Sequence, residues 1–198
     1  MTCTVKKFGL IVEGHGEVDS LPTLCRRIGS AFIDHSRIRV SRPFRISRDK
    51  IVKPGELERA VEFLRYRVGE DGLIILLLDA DDDCPLKLSR ELRSRISPDI
   101  RLSVVIANRE FESWFLAGIT SLRGKHGIKK DASFTNDPEA VRDAKSEISK
   151  LMIDGRCYGP TRDQSALAKE LDIVEAIRAR SFRKLKEEIE KYCMSNAT

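Results

Sequence analysis

The uninterrupted apolar run Leu73–Leu78 constrains the fold more than any other feature of the sequence. A strand that is apolar at every position has to be covered on both faces, as helices cover the central strands of parallel sheets. The run leads directly into Asp79. We therefore predict a buried parallel strand that ends in an acidic side chain, at the edge of the sheet where open α/β folds place their functional groups.

Similar signals on both sides of this run predict a complete sheet. Short apolar runs and one alternation of basic and apolar residues are typical of strands, and apolar residues three or four positions apart are typical of helices. The strands are expected at about 8–14, 37–46, 73–78 and 102–107, and the helices between them at about 17–30, 55–68 and 86–96. This alternation implies right-handed crossovers, so the expected fold class is α/β, with a parallel sheet of about four strands flanked by helices.

Beyond the fourth strand the pattern becomes helical. Helices are expected at about 111–116, 138–151, 164–178 and 181–193, with a loop at 119–137. Trp114 and Phe115 are expected to pack in the core rather than to stack on bases. We therefore divide the chain into an α/β core, residues 1–118, and a C-terminal helical extension packed on it, residues 119–198.

The composition excludes several classes of protein. No apolar stretch approaches the roughly 20 residues that cross a bilayer, and the first residues lack the apolar region of a signal peptide. Five scattered cysteines without a Cys-x-x-Cys pair fit neither a disulfide framework nor a zinc ribbon. We expect a reduced, cytoplasmic protein that does not enter a membrane.

Charged residues are unevenly distributed along the chain. Overall, 36 Lys and Arg against 31 Asp and Glu give a net charge of +5. Residues 21–67 contain twelve basic and five acidic residues, whereas residues 68–83 contain six acidic residues and no basic one. Such a basic segment suits a polyanionic partner such as nucleic acid, and a solvated basic face is the alternative. The candidate phosphate contacts are Arg42, Arg45, Arg48, Lys50, Arg180, Arg183 and Lys184.

Acidic residues follow three of the expected strands, the first, the third and the fourth. Carboxylates that converge at one edge of a sheet repel one another unless cations neutralise them, and hard oxygen ligands suit Mg²⁺ or Mn²⁺. The candidate metal ligands are Glu13, Asp79, Asp81, Asp83 and Glu112. Glu110 is the alternative to Glu112.

Glu17 follows the first of these acids by four residues, at the expected start of a helix. It is either a ligand of a second metal ion or an acid that the helix dipole favours in a first turn. We include it in the candidate catalytic set. That set is Glu13, Glu17, Asp79 and Asp81.

Two of these motifs resemble the Toprim fold, which topoisomerases, primases and nucleases of the overcoming-lysogenization-defect type share. Glu13-Gly14 is similar to the Glu-Gly at the end of its first strand, and Asp79-Ala80-Asp81 to the Asp-x-Asp at the end of its third. The resemblance covers residues 6–118 and implies a metal-dependent site that contains these acids.

Further segments resemble a family of stand-alone bacterial Toprim-like proteins of unknown function. They are Asp79–Pro85, Glu110–Ala117, Asp137-Pro138, Tyr158–Gln164 and Ser181–Leu185. Such proteins are often encoded beside a P-loop ATPase, in pairs that resemble phage-defence systems. The resemblance implies a two-part system in which this chain is the nuclease or effector and the ATPase is its partner.

These observations leave three functions open. The first expectation is a Mg²⁺- or Mn²⁺-dependent nuclease that acts on DNA or RNA, with the basic segment guiding the phosphate backbone. The alternative is a regulatory or toxic effector that binds the ATPase and has little activity alone. A weaker alternative is a small-molecule phosphohydrolase.

Overall fold

A parallel sheet organises the part of the chain that the computed structural model describes, residues 5–195. The strands are β1 (Lys6–Val12), β2 (Ile38–Val40), β3 (Phe44–Arg45), β4 (Leu73–Asp79) and β5 (Leu102–Ala107). They lie in the order β2-β1-β4-β5, and the short β3 also pairs with β1. All these pairs are parallel, which confirms the predicted fold class. Residues 1–4 and 196–198, and with them Cys3, lie outside the described residues.

Helices cover both faces of this sheet. They are α1 (His15–Gly29), α2 (Arg48–Ile51), α3 (Glu56–Val68), α4 (Pro85–Ser94), α5 (Ser113–Ala117), α6 (Ala144–Lys150), α7 (Pro160–Glu170), α8 (Ile173–Ala176) and α9 (Arg180–Met194). On β4, Ile75 and Leu77 pack with α1 and α9, whereas Ile74 and Leu76 pack with α3 and α4. The apolar run is thus covered on both faces. Within residues 5–195, no helix is both long enough and apolar enough to span a membrane.

The strand expected at 37–46 is interrupted, so the prediction of one continuous strand is wrong. Pro43 lies between β2 and β3 and has no N–H group to donate to a neighbouring strand. The segment nevertheless stays beside β1. The N–H of Ser41 donates to the carbonyl of Phe8 at 2.9 Å, and that of Ile46 donates to the carbonyl of Val12, also at 2.9 Å.

Two of the expected C-terminal helices are shorter than predicted. The helix expected at 138–151 is reduced to α6, because the side chain of Asp143 accepts the N–H of Ser146 at 2.9 Å and starts the helix there. The helix expected at 164–178 divides into α7 and α8, because the side chain of Asp172 caps the first turn of α8. Such N-cap hydrogen bonds define a helix start more strongly than apolar spacing does.

The helices after residue 118 pack on the sheet through one apolar cluster. The indole Nε1 of Trp114 donates to Ser181 Oγ at 2.7 Å, and its ring meets that of Phe182 edge to face at 5.2 Å. Trp114 and Phe115 are fully buried, which confirms that they are core residues. The division of the chain at residue 118 stays a prediction.

An ion pair joins the helices on the α3 face of the sheet. The guanidinium of Arg95 donates to both carboxylate oxygens of Glu58, at 2.8 and 2.9 Å, and to the carbonyl of Ile51 at 2.9 Å. It therefore connects the end of α4 with α2 and α3. These hydrogen bonds from Arg95 lower the pKa of Glu58 to about 2. Glu58 stabilises the fold in its ionised form.

We expect Glu58→Gln to lower the free energy of unfolding at pH 7 by about 1–2 kcal/mol, because it removes the charge that Arg95 pairs with. The pKa of Glu58 in the folded state lies below the ordinary value of 4.5. Its contribution is therefore complete above that pH and is lost as the pH falls toward about 2. Urea unfolding at pH 7 and at pH 3.5 measures both effects.

The matched control for this prediction is Glu62→Gln, which changes an exposed side chain of the same helix. It is expected to alter the free energy of unfolding by less than about 0.5 kcal/mol. A stability difference between the wild type and Glu58→Gln that does not change with pH would contradict the prediction.

Candidate active site

Four acidic side chains share one pocket at the carboxyl edge of the sheet, a cavity of ≈ 240 Å³. They are Glu13 after β1, Glu17 in the first turn of α1, Asp79 at the end of β4 and Glu112 before α5. The register of the strands explains why they meet. Val12 pairs with Leu77 and Asp79 pairs with Ala107, so β1, β4 and β5 end at similar levels. Lys145 of α6 also lines the pocket and supplies a positive charge.

Glu17 is held in a fixed orientation by the backbone at the start of α1. Its Oε2 accepts the N–H of Gly14 at 3.0 Å and that of Glu13 at 3.2 Å. Burial raises its pKa to about 7, and the neighbouring carboxylate of Glu112 adds to the effect. Glu17 is therefore a group that can take up or release a proton near neutral pH.

Gly16 allows α7 to approach the first turn of α1. A Cβ at this position would stand 1.8 Å from Oε1 of Gln164 and 2.9 Å from the carbonyl of Pro160. Gln164 itself is buried, and its Nε2 has no hydrogen-bond partner among the described residues. An amide nitrogen left unpaired beside a pocket is unfavourable unless a ligand or water accepts its hydrogen bond. The Nε2 of Gln164 is therefore a hydrogen-bond donor without a described partner in the pocket that holds the carboxylates.

The backbone also orients Asp79. Its Oδ1 accepts the N–H of Phe111 at 2.8 Å, which orients the carboxylate at the end of β4. Burial raises the pKa of Asp79 well above its ordinary value, and the charges of Glu17 and Glu112 raise it further. The ionised form is unfavourable here unless a cation is close.

Glu112 lies between a tyrosine and a lysine. The hydroxyl of Tyr158 donates to its Oε1 at 3.1 Å, and Lys145 Nζ lies 3.4 Å from its Oε2. Lys145 Nζ also lies 3.3 Å from Oε2 of Glu110. Burial raises the pKa of Glu112, whereas Lys145 opposes the increase. Of the two alternatives in the sequence, Glu112 lines the pocket and Glu110 lies in the neighbouring depression.

Glu13 has an oxygen without a partner. Its Oε2 is buried and makes no hydrogen bond with any described residue. Burial raises the pKa of Glu13, while Arg48 lowers it and Asp81 raises it. A half-buried carboxylate with one free oxygen is a site at which a cation would gain a ligand without displacing another contact.

Asp81 and Asp83 are not brought into the pocket. Both are exposed, and both face Arg48, which donates to the carboxylate of Asp83 and lies 3.8 Å from that of Asp81. Arg48 also donates to the backbone carbonyl of Asp79. Asp81 has a left-handed backbone, with φ of 49°. The alternation that would align it with Asp79 requires an extended strand, and the chain has already turned.

The candidate phosphate contacts lie in three places. Arg45 donates to the carbonyl of Glu13 at 3.3 Å, and Arg42 lines a depression beside α1. Arg48 is engaged by acids, and Lys50 is exposed on the short α2. On α9, Arg183 is exposed, whereas Arg180 and Lys184 line a cleft beside β5.

Among the residues absent from the predicted site, Lys145 and Gln164 line the pocket, and Tyr158 borders it by donating to Glu112. Lys145 belongs to no local motif, and only the tertiary structure places it beside the acids. Tyr158 and Gln164 fall in a segment that carries the family resemblance, so a signal for them existed. Nothing in the sequence indicated that this segment would turn toward the strand ends.

The donor chemistry of the pocket fits a hard divalent cation. Within residues 5–195, no group of three or more His, Cys, Asp or Glu side chains is arranged to hold a metal ion by itself. Mg²⁺, however, is commonly bound through one or two carboxylates, with waters and substrate phosphate completing its coordination. Glu13, with its free Oε2, and Asp79 are the pocket carboxylates that could serve as such ligands.

One comparison with known proteins gives a match. A family model described as a domain of unknown function, DUF4276, matches residues 12–190. No curated protein and no solved structure matches the chain. All residues of the pocket fall within the matched segment.

We expect Asp79→Asn to raise the free energy of unfolding at pH 8 by about 1 kcal/mol in buffer without divalent metal. The substitution removes one of several buried negative charges and keeps the oxygen that accepts the Phe111 N–H. Asp82→Asn, at a carboxylate that is 78% exposed, is the matched control and should have little effect. Urea unfolding of the three proteins is the measurement. A destabilised Asp79→Asn protein would show that the charge is already compensated.

Proposed function

Because the chain belongs to the DUF4276 family, whose description assigns no activity, we propose a function from the residues themselves: Mg²⁺- or Mn²⁺-dependent hydrolysis of phosphodiester bonds in DNA or RNA. The observation that carries this proposal is the pocket of four buried or half-buried carboxylates at the carboxyl edge of the sheet. Clusters with perturbed pKa values in a cleft mark functional sites more often than structural ones.

Glu13 and Asp79 are the residues that would hold the metal ion, and Glu112 lines the same pocket. The three side chains follow the ends of three different strands. A bound divalent ion lowers the pKa of a coordinated water and stabilises negative charge on a phosphodiester. The Toprim resemblance assigns Asp81 to the same ion, whereas Asp81 here lies against Arg48.

Glu17 is the proposed proton acceptor. Its pKa of about 7 leaves a large fraction of it ionised at neutral pH, and its Oε2 is fixed by backbone N–H groups. Lys145 is close enough to the pocket acids to contact a phosphate oxygen bound between them. A lysine in this position neutralises phosphate charge without occupying a metal site.

The substrate is proposed to be nucleic acid because cations lie along the same edge of the sheet. Arg45 is anchored at Glu13, and Arg42 lies two residues before the strand that carries Arg45. Backbone phosphates bound by such residues make affinity strongly dependent on salt. We place the protein in the cytoplasm, since the four cysteines among the described residues are free thiols.

We expect metal-dependent cleavage of single-stranded DNA, RNA or plasmid DNA that EDTA abolishes. Glu13→Gln and Asp79→Asn should each lower the rate by about 100-fold or more, because each removes charge from the proposed metal site. Asp82→Asn is the control and should stay within about twofold, since this carboxylate is exposed and pairs with arginines outside the pocket.

Equal cleavage by the wild type and Asp79→Asn would refute the proposed site. Cleavage confined to simple phosphate esters or nucleotides would instead support a small-molecule phosphohydrolase. Gel assays with the three nucleic acids and a chromogenic diester distinguish these results.

A second candidate is an effector whose activity requires a protein partner. Two observations favour it. The pocket acids are not assembled into a ready metal site within residues 5–195. In addition, α3 and β3 expose an aromatic surface made of Phe44, Phe63 and Tyr66. The rings of Phe44 and Phe63 are 5.5 Å apart, and Tyr66 is 91% exposed.

Exposed aromatic clusters of this kind mark interaction surfaces. The partner that we propose is the P-loop ATPase implied by the Toprim resemblance, in a phage-defence pair. Under this function the isolated chain would cleave nothing, and the ATPase would complete the site.

This function predicts that an ATPase encoded beside the protein co-purifies with it and switches on metal-dependent cleavage. Tyr66→Ser should weaken the complex by about tenfold or more, because a buried tyrosine at an interface contributes about 2 kcal/mol. Val174→Ser, at a residue 72% exposed on α8, is the control. Titration calorimetry gives the affinities, and equal affinities for both variants would remove this surface from the proposal.

A further inference from the structure

A second cleft, of ≈ 400 Å³, lies along β5 outside the candidate active site. Its floor is made of Val104 and Ile106, one wall is made of Pro85 and Leu86, and Arg180 and Lys184 form the other side. The cleft exists because β5 is an edge strand: α4 and α9 pack against it, and within residues 5–195 no further strand pairs with it. The opening therefore lies between the first turns of two helices.

The apolar part of this cleft is open to solvent. Leu86 is 59% exposed, although it lies beside the buried Val104 and Ile106. Small-molecule sites have this character, with a mostly apolar lining and a few polar groups that orient the ligand, in volumes of roughly 300–1,000 Å³.

The charged side of the cleft is positive and unpaired. Arg180 and Lys184 lie one helical turn apart on α9, and neither forms an ion pair with any described residue. The acid in the cleft, Glu139, forms no ion pair with either of them and leaves the cleft with one net positive charge. It is buried, and its two oxygens accept the backbone N–H groups of Arg180 and Ser181, at 3.0 and 2.9 Å. An anion is the ligand that two such cations favour.

One further polar side chain lines the cleft. Asn108 follows β5, and its amide makes no hydrogen bond with a described residue. An amide offers a donor and an acceptor side by side, which is the pattern that pairs with the edge of a nucleobase. Within the described residues, the cleft therefore combines an apolar slot, an amide with a free donor and acceptor, and two cations without ion pairs.

We propose that this cleft binds a nucleotide, with its base against Val104, Ile106 and Leu86 and its phosphate between Arg180 and Lys184. The nucleotide is either free or an unpaired unit within a strand. Asp79 and Glu112 line the candidate active site, whereas Cys84 and Asn108 line the cleft, so the loop 79–84 and the loop 108–112 each run from one to the other. If the nucleotide is part of a nucleic-acid strand, the inference rests on the proposed nuclease function. It then specifies that the substrate is single-stranded.

Direct binding tests this proposal without relying on cleavage. Titration calorimetry with nucleoside 5′-monophosphates, and fluorescence anisotropy with a labelled 12-nucleotide single strand, are carried out in EDTA. The same strand annealed into a duplex is the third arm, because a stacked and paired base cannot enter the slot. Glu62→Gln, an exposed position on α3 outside both sites, is included as a control whose binding should equal that of the wild type. Because no cleavage occurs in EDTA, the result does not depend on the proposed nuclease activity.

We expect Lys184→Ala and Leu86→Glu each to weaken binding by about tenfold, the first through lost phosphate charge and the second through a carboxylate in the apolar wall. Lys191→Ala, at an exposed cation of the same helix outside the cleft, should stay within about twofold. Binding of monophosphates identifies a free nucleotide as the ligand, and binding of the single strand alone identifies a substrate subsite. No binding in either arm, equal binding of duplex and single strand, or variants that bind like the wild type would overturn the proposal.

Discussion

The rest of the structure depends on one constraint: a strand covered on both faces ends in a carboxylate. Because helices bury all of β4 up to Asp79, this side chain leaves the sheet inside the protein, and burial raises its pKa well above the ordinary value. The parallel register brings the ends of β1 and β5 to the same level, so Glu13 and Glu112 lie around it. Acids gathered in this way destabilise the fold unless a cation neutralises them. A ligand-binding function would explain why the fold gathers these carboxylates at one edge of the sheet despite their unfavourable free energy.

The sheet alone does not make the pocket, because the helical part of the chain closes it. Lys145 comes from α6 and Gln164 from α7, which packs on α1. Tyr158 precedes α7 and donates to Glu112. Gly16 is the point of closest approach, since any side chain there would collide with Gln164. The C-terminal helices therefore take part in the site as well as in the core. A substitution that shifts α7 would alter the environment of Glu17 without touching it.

Much of this arrangement could be predicted from local patterns. A continuous apolar run followed by an acid was enough to place Asp79. The strand-end rule also placed Glu13, and it left Glu112 and Glu110 as alternatives. The prediction was wrong where a single backbone feature overrode periodicity, as Pro43 did in the second strand. Asp81 departed from the expected alignment because its backbone is left-handed. Lys145 could not be predicted, because its role depends on a tertiary contact that leaves no pattern in neighbouring residues.

The excess of basic residues must also be interpreted from the position of each cation in the structure. Arg48 and Arg95 form ion pairs and hydrogen bonds with acids and backbone carbonyls of the protein, so their role is structural. Two cations that form no ion pair with a described residue lie at opposite ends of the same edge. Arg45 stands beside the end of β1, and Lys184 stands beside the edge strand β5, with the carboxylate pocket between them in the strand order. A polyanion lying across the sheet edge would meet a cation on each side and the acids in the middle. This distribution of charge fits a linear phosphodiester better than the net value of +5 alone indicates.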